Sequence, residues 1–141
     1  MSGFLLDTNC ISEAVRERPE PRVLSWLGAT EEALLHLSVL TLGEIRKGVA
    51  ALTPGKRRTL LETWLEMELQ VRFAGRILPI DVAVADRWGE LAAAVRAKGA
   101  ALSTVDGLLA ATAFHHKLTI VSRNVQDFAH TQVPVFNPWK A

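Results

Sequence analysis

A parallel α/β sheet covered by helices on both faces is the fold class this sequence predicts. Three observations carry it. Short apolar runs alternate with helical patterns along the whole chain. The runs are almost continuously apolar, as in strands buried on both sides. The chain has 141 residues, 49% of them hydrophobic, enough for one substantial core. A single domain with a sheet of four to five strands follows. No repeat, low-complexity tract or linker interrupts it.

Phe4–Asp7 reads as a short buried strand. Thr8-Asn9 is expected to break it, with Ser12 capping a short helix through Glu13–Arg18. Pro21 is well placed to open the next helix, through Trp26. Leu34–Val39 is a second strand, and Leu42–Leu52 a helix stopped by Thr53-Pro54-Gly55. A long helical pattern runs from Lys56 to about Arg72, with Leu60, Trp64, Met67 and Val71 at helical spacing and Leu61 and Leu65 beside them. These read as core or dimer seam. Ile77–Ile80 is a third strand. Asp81 is a candidate cap for a helix whose apolar stripe includes Val84, Trp88, Leu91 and Val95, ended by Gly99. Ser103 opens a helix to about His116, Leu118–Val121 is a fourth strand, Asn124–Ala129 a short helix and Val133–Phe136 a fifth strand.

Charge is almost balanced, at +1. A protein that covers nucleic acid with a broad face is usually more basic, so a local basic patch near an acidic centre is the form nucleic-acid binding would take here. The basic clusters are Arg46-Lys47 and Lys56-Arg57-Arg58. The single cysteine, Cys10, excludes an internal disulfide and suits a reducing compartment. No segment reads as a signal peptide or a membrane span, so a cytoplasmic protein without a membrane partner is expected.

Four acids draw attention: Asp7, Glu44, Asp106 and Asp127. Asp7 ends the first strand, while Glu44 and Asp127 follow the second and fourth. Those three project from the carboxyl edge of the sheet, where open α/β folds bind ligands. Periodicity does not place Asp106 there, because it opens a helix that leads into a strand. Thr41, Ser103 and Asn124 each stand three residues before one of the acids, the spacing of a capping box. Each acid could therefore serve only its helix, worth about 0.3–1 kcal/mol. A shared site is the other reading. Clustered carboxylates repel and need a counter-charge, and a hard divalent cation prefers their oxygens. That chemistry points to metal-assisted hydrolysis of a phosphodiester. Asn9, Ser122 and Asn124 are supporting candidates, with Thr8 and Ser122 placed to orient acids or waters.

At these residues the chain resembles the PIN-domain nucleases, and among them the VapC-type toxins of toxin–antitoxin pairs. Leu5-Leu6-Asp7-Thr8-Asn9 is similar to the family's opening LDTN, with Ser12-Glu13 following. Leu42-Gly43-Glu44-Ile45 is similar to its GE-containing helix, and Asp106-Gly107-Leu108-Leu109-Ala110-Ala111-Thr112-Ala113 to its D-x-L-I-A-A-T-A helix. Ser122-Arg123-Asn124-Val125-Gln126-Asp127-Phe128 resembles the TRN-x-x-DF ending, with Ser for Thr at Ser122. The four pieces in order make the resemblance specific.

The resemblance implies one PIN-like domain over residues 1–141 and an endoribonuclease dependent on Mg²⁺ or Mn²⁺, the toxin of a type II pair. It matches Asp7, Glu44, Asp106 and Asp127 to the family's acidic quartet and brings Asp106 to the rim. RNA as substrate, a cognate antitoxin and a homodimer are implied with it. Two alternatives remain: an inactive PIN-like interaction module, and a phosphatase with Asp7 as nucleophile. The second lacks an acid two residues on, where Asn9 stands, and lacks a phosphate-gripping glycine loop.

Overall fold

The computed structural model describes residues 2–141. Five short strands form one all-parallel sheet: β1 (Phe4–Leu6), β2 (Leu35–Ser38), β3 (Ile77–Leu78), β4 (Thr119–Val121) and β5 (Val135–Phe136). The spatial order is β3-β2-β1-β4-β5. The chain thus starts in the middle, builds outward through β2 and β3, then crosses back to lay β4 on the other side of β1. That reversal makes the β1–β4 seam the topological switch point, where a crevice opens beyond the strand ends. The register across the seam pairs Phe4 with Thr119 and Leu6 with Val121.

Parallel strands need crossovers, and helices supply them. Helices α1 (Thr8–Glu13), α2 (Pro21–Ala29) and α3 (Val39–Ala50) cover one face together with a helical run over 56–72, α4. This run is α-helical at Lys56–Thr63, π-helical at Trp64–Leu69 and closes with Gln70–Arg72. The opposite face carries α5 (Val82–Ala97) and α6 (Thr104–His116).

Strand alternation sorts the core into two halves. Leu6, Leu35, Leu37 and Val121 point toward α1–α4 and meet Ile11, Val23, Ile45 and Leu65. Leu5 and Ile120 point the other way, onto Leu109, Ala110 and Ala113 of α6 and onto Phe128. Helix α6 lies close against α5 because Gly107 has no side chain; a Cβ there would stand 2.8 Å from the Trp88 indole nitrogen.

Several local expectations are corrected. The strand ends before Thr8-Asn9 as expected, but with no loop: Asp7 accepts from the Thr8 N–H and caps α1, which starts at Thr8 and ends where a helix was expected to begin. Helix α3 follows β2 with no loop, capped by Ser38, so its start lies three residues before the expected one. Thr41 is therefore inside the helix, buried, and its hydroxyl has no protein partner. Glu44 sits in the second turn, beyond the reach of a capping box. The Asp127 helix is a 3₁₀ turn at Val125–Phe128, and Asn124 provides no side-chain cap to it. In α4, Leu65 and Leu69 face the core, whereas Leu60, Met67 and Val71 are 60%, 66% and 68% exposed. Trp26 packs between Phe4 and Phe136, with ring centroids 5.1 and 5.3 Å away, and is half-buried.

The third and fifth strands are shorter than expected, at Ile77–Leu78 and Val135–Phe136. Three punctuation signals fall where expected. Pro21 opens α2. Asp81 accepts from the Val84 N–H to cap α5, and Gly99 takes the positive φ that ends it. Trp139 is buried with the α1–α4 core and holds the C-terminal segment there. Among the described residues, no helix is long and apolar enough to cross a membrane.

Candidate active site at the carboxyl rim of the sheet

Asp7 is the first residue beyond β1 and Ser122 the first beyond β4, so the switch point itself brings them together. The Asp7 N–H still belongs to the sheet, donating to the Val121 carbonyl at 2.9 Å. Its side chain turns into the crevice. One carboxylate oxygen accepts from the Thr8 N–H at 2.8 Å and the other from the Ser122 hydroxyl at 2.7 Å. These are short, charge-assisted bonds, and they lock the side chain in one orientation.

Ser122 is fully buried and saturated. It donates to Asp7 and accepts from the Asn9 amide at 3.3 Å and the Asn124 N–H at 3.0 Å. Asn9 in turn accepts from the Arg123 N–H at 3.4 Å. Asn9 and Ser122 thus tie the start of α1 to the loop after β4. Asn124 joins this network through its backbone, and its side chain is exposed.

Glu44 reaches the same rim from α3. Its carboxylate accepts from the Thr8 hydroxyl at 2.6 Å. Asp106 arrives from the other direction, in the first turn of α6, where the Ser103 hydroxyl caps its N–H at 3.1 Å. A crossover helix runs antiparallel to the strands it joins, so the start of α6 lies at the carboxyl ends of the strands. Asp127 follows β4 on its 3₁₀ turn. A cavity of about 270 Å³ opens between Asp106 and Asp127, bordered by Ser103, Gln126 and His130. Glu44 lines a neighbouring groove with Val39, Gly43, Lys47 and Val105. A further cavity, beside Arg87, Phe114 and Gln132, contains none of the four acids.

The electrostatics register this proximity. Burial raises the Asp7 carboxyl above its ordinary 3.8, and the Glu44 and Asp106 charges push the same way against the two hydrogen bonds. Asp106 is raised too, first by burial and then by the charges of Asp127 and Glu44. Among the described residues, no Lys, Arg or His forms an ion pair with any of the four; the ion pairs use other acids, such as Glu13, Glu32 and Glu66. The rim is therefore a cluster of like charges without a resident counter-charge. Its donors are all oxygens, the set that suits Mg²⁺ or Mn²⁺. Among the described residues, no three His, Cys, Asp or Glu side chains already converge as a ready-made ligand shell. The acids feel one another across the crevice without being folded onto one point.

The basic clusters have largely local duties. Arg46 pairs with Glu66 at 2.7 Å, Arg57 donates to the Val15 carbonyl at 2.8 Å and Arg58 to that of Leu52 at 3.1 Å. Arg123 stacks over Trp139 at 5.0 Å. Lys47 is the basic residue that shares the groove of Glu44. Cys10 is buried, its thiol pushed up to about 12, chiefly by burial, which leaves it inert. Glu13 plays a part that sequence reading passed over. It is 2% exposed, and its carboxylate accepts from the Glu20 N–H at 3.0 Å and from Arg16 at 3.2 Å, pinning the α1–α2 connection.

Known proteins share this architecture. Toxin FitB of Neisseria gonorrhoeae is 42% identical over 136 residues, covering 96% of this chain and 98% of the relative. VapC ribonuclease Y4jK of Sinorhizobium fredii is 37% identical over 137 residues, covering 97% and 98%. The crystal structure of FitAcB from Neisseria gonorrhoeae superimposes with a TM-score of 0.94 at 40% identity, covering 98% of this chain and 99% of that one. The PIN domain family model matches residues 4–133. With a family match over nearly the whole chain and the strand order described above, this chain belongs to the PIN-domain family.

Proposed function

We propose that this chain is a Mg²⁺- or Mn²⁺-dependent endoribonuclease and the toxin of a type II toxin–antitoxin pair. The observation that carries the reading is that carboxylates from separate segments come near enough at the carboxyl edge for Asp7 and Asp106 to be raised by their acidic neighbours, with no ion-pair partner among the described residues. The similarity to a protein named Toxin FitB and to one named VapC ribonuclease supports both parts of it.

Asp7 and Asp106 would hold the first ion directly, with Glu44 direct or through water. Asp127 would hold a second ion or orient its waters. Bound there, a divalent cation supplies Lewis acidity and lowers the pKa of a coordinated water. The chain's own residues do the rest. Ser122 and the Thr8 N–H fix the Asp7 carboxylate. Asn9 and the Asn124 N–H fix Ser122. Lys47 and Arg123 flank the rim, where a phosphate backbone would lie. No histidine or serine nucleophile is needed.

An antitoxin partner is supported by the toxin relatives and by the exposed Leu60, Met67 and Val71 along α4, apolar surface of the kind that marks protein contacts. The phosphatase alternative is weakened because Asn9, where a second acid would stand, is held by Ser122 and Arg123.

One assay separates the readings: single-stranded RNA incubated with Mn²⁺ or Mg²⁺, with EDTA, and with the Asp7→Asn variant. Cleavage that needs the cation and Asp7 is expected. Hydrolysis of small phosphate esters alone would favour the phosphatase, and inactivity in every arm the binding module.

A further inference from the structure

The four acids are not held equally. Asp7 is fixed by two hydrogen bonds, and Asp106 begins a capped helix turn on a short side chain. Glu44 has a longer, more flexible side chain, sits in an exposed turn of α3 and makes no ion pair among the described residues. Left alone, such a side chain samples many rotamers, and ordering it costs up to about 1.5–2 kcal/mol. One contact restrains it: the Thr8 hydroxyl, 2.6 Å from its Oε1.

Thr8 is unusually placed to do this. It is the first residue of α1, so its backbone is set by the helix and by the Asp7 cap. Its branched side chain has few χ1 options. Its N–H grips one oxygen of Asp7 while its hydroxyl grips one oxygen of Glu44. A single residue therefore spans two acids that lie 36 positions from Thr8 in one case and adjacent to it in the other. With Oε1 engaged, Oε2 of Glu44 makes no hydrogen bond among the described residues.

We propose that Thr8 is a positioning residue that sets the Glu44 carboxylate for cation binding. This rests on the metal-dependent reading of the site. Thr8 touches neither cation nor RNA; it acts through Glu44 by removing rotamer freedom that a cation would otherwise have to freeze.

The test compares wild type, Thr8→Val and Thr8→Ser. Valine keeps the branched shape and removes the donor, whereas serine keeps the donor. Mn²⁺ binding is measured by calorimetry on the RNA-free protein, and melting in EDTA reports the fold. Thr8→Val is expected to bind Mn²⁺ about tenfold more weakly or worse, because the cation must then freeze the Glu44 rotamers itself. Thr8→Ser is expected within about threefold of wild type, because it retains the bond to Glu44. Both variants should melt close to wild type in EDTA. Unchanged or tighter Mn²⁺ binding by Thr8→Val overturns the proposal, as does equal weakening in Thr8→Ser. If Thr8→Val melts far below wild type, Glu44→Gln supplies the measurement: it should weaken Mn²⁺ binding in the wild-type background, and Thr8→Val should then weaken it little further. Full additivity of the two would overturn the coupling. Should wild type bind Mn²⁺ and cleave RNA while Thr8→Val matches it, the positioning role alone fails. Should wild type bind no Mn²⁺ at all, the ribonuclease reading fails with it.

Discussion

Replacing Asp7 by asparagine should reverse the stability order of the two proteins when a divalent cation is added. In metal-free protein the substitution removes a charge that its surroundings disfavour. Asp7 accepts two charge-assisted hydrogen bonds, at 2.8 and 2.7 Å, each of a kind worth about 1.5–3 kcal/mol. Its pKa is nonetheless raised, so burial together with the Glu44 and Asp106 charges outweighs both bonds. Asparagine is isosteric, caps a helix as well as aspartate and keeps one acceptor oxygen. Its melting temperature in EDTA should equal or exceed that of wild type. A cation at about 100 times its Kd then adds about 2.7 kcal/mol to wild type, close to 8–10 °C in Tm for a domain of this size. Asp7→Asn should gain far less. The assay is a thermal melt of both proteins in EDTA and across a Mn²⁺ series. Equal Mn²⁺ shifts would refute the reasoning, and so would an asparagine variant that melts several degrees lower in EDTA.

Four more outcomes follow from the same structure. Because the Asp7 carboxyl is raised, the folded state takes up its proton more readily than the unfolded state does. Its ionisation therefore removes stability as pH rises from 3.8 through the raised value, and the Tm gap between Asp7→Asn and metal-free wild type should open over that window. Protons compete with the cation at Asp7 and Asp106 alike, so Mn²⁺ affinity by titration should fall, on acidification, at a higher pH than for an unshifted carboxylate. Gly107→Ala would normally favour a helix, but here the new Cβ would stand 2.8 Å from the Trp88 ring; overpacking of about 1–3 kcal/mol should lower Tm. Glu13→Ala leaves the half-buried Glu20 N–H without its acceptor, and denaturant unfolding should show a loss of about 1–3 kcal/mol while Mn²⁺ binding is unchanged.

The order of strands and helices was legible because nearly continuous apolar runs and helical stripes are strong signals, and Pro21, Asp81 and Gly99 punctuate them as their chemistry demands. Asp7, Glu44 and Asp127 could be assigned to one edge from chain order alone. Asp106 needed one further step, that a crossover helix begins at the edge where its strand ends. The misplaced starts of α1 and α3 share a cause. Asp7 directly follows β1 and Ser38 ends β2, and each caps the next helix at once, so no polar loop separates the elements. Val39 then extends the apolar run of β2 and reads as strand. The α4 helix carries apolar residues on two sides, and composition does not say which side meets the core. Leu65 and Leu69 do, and Leu60, Met67 and Val71 do not. The Thr8–Glu44 contact joins residues 36 apart, and no local pattern announces it.

If acids remote in sequence form one oxygen-lined cation site at the β1–β4 seam, anomalous scattering from crystals grown with Mn²⁺ will locate the ion. A Mn²⁺ peak is expected within coordination distance of Asp7 and Asp106, with Glu44 bound directly or through one water. A well-ordered crystal with Mn²⁺ elsewhere, or with Asp7, Glu44 and Asp106 turned to separate surroundings, would contradict a shared site.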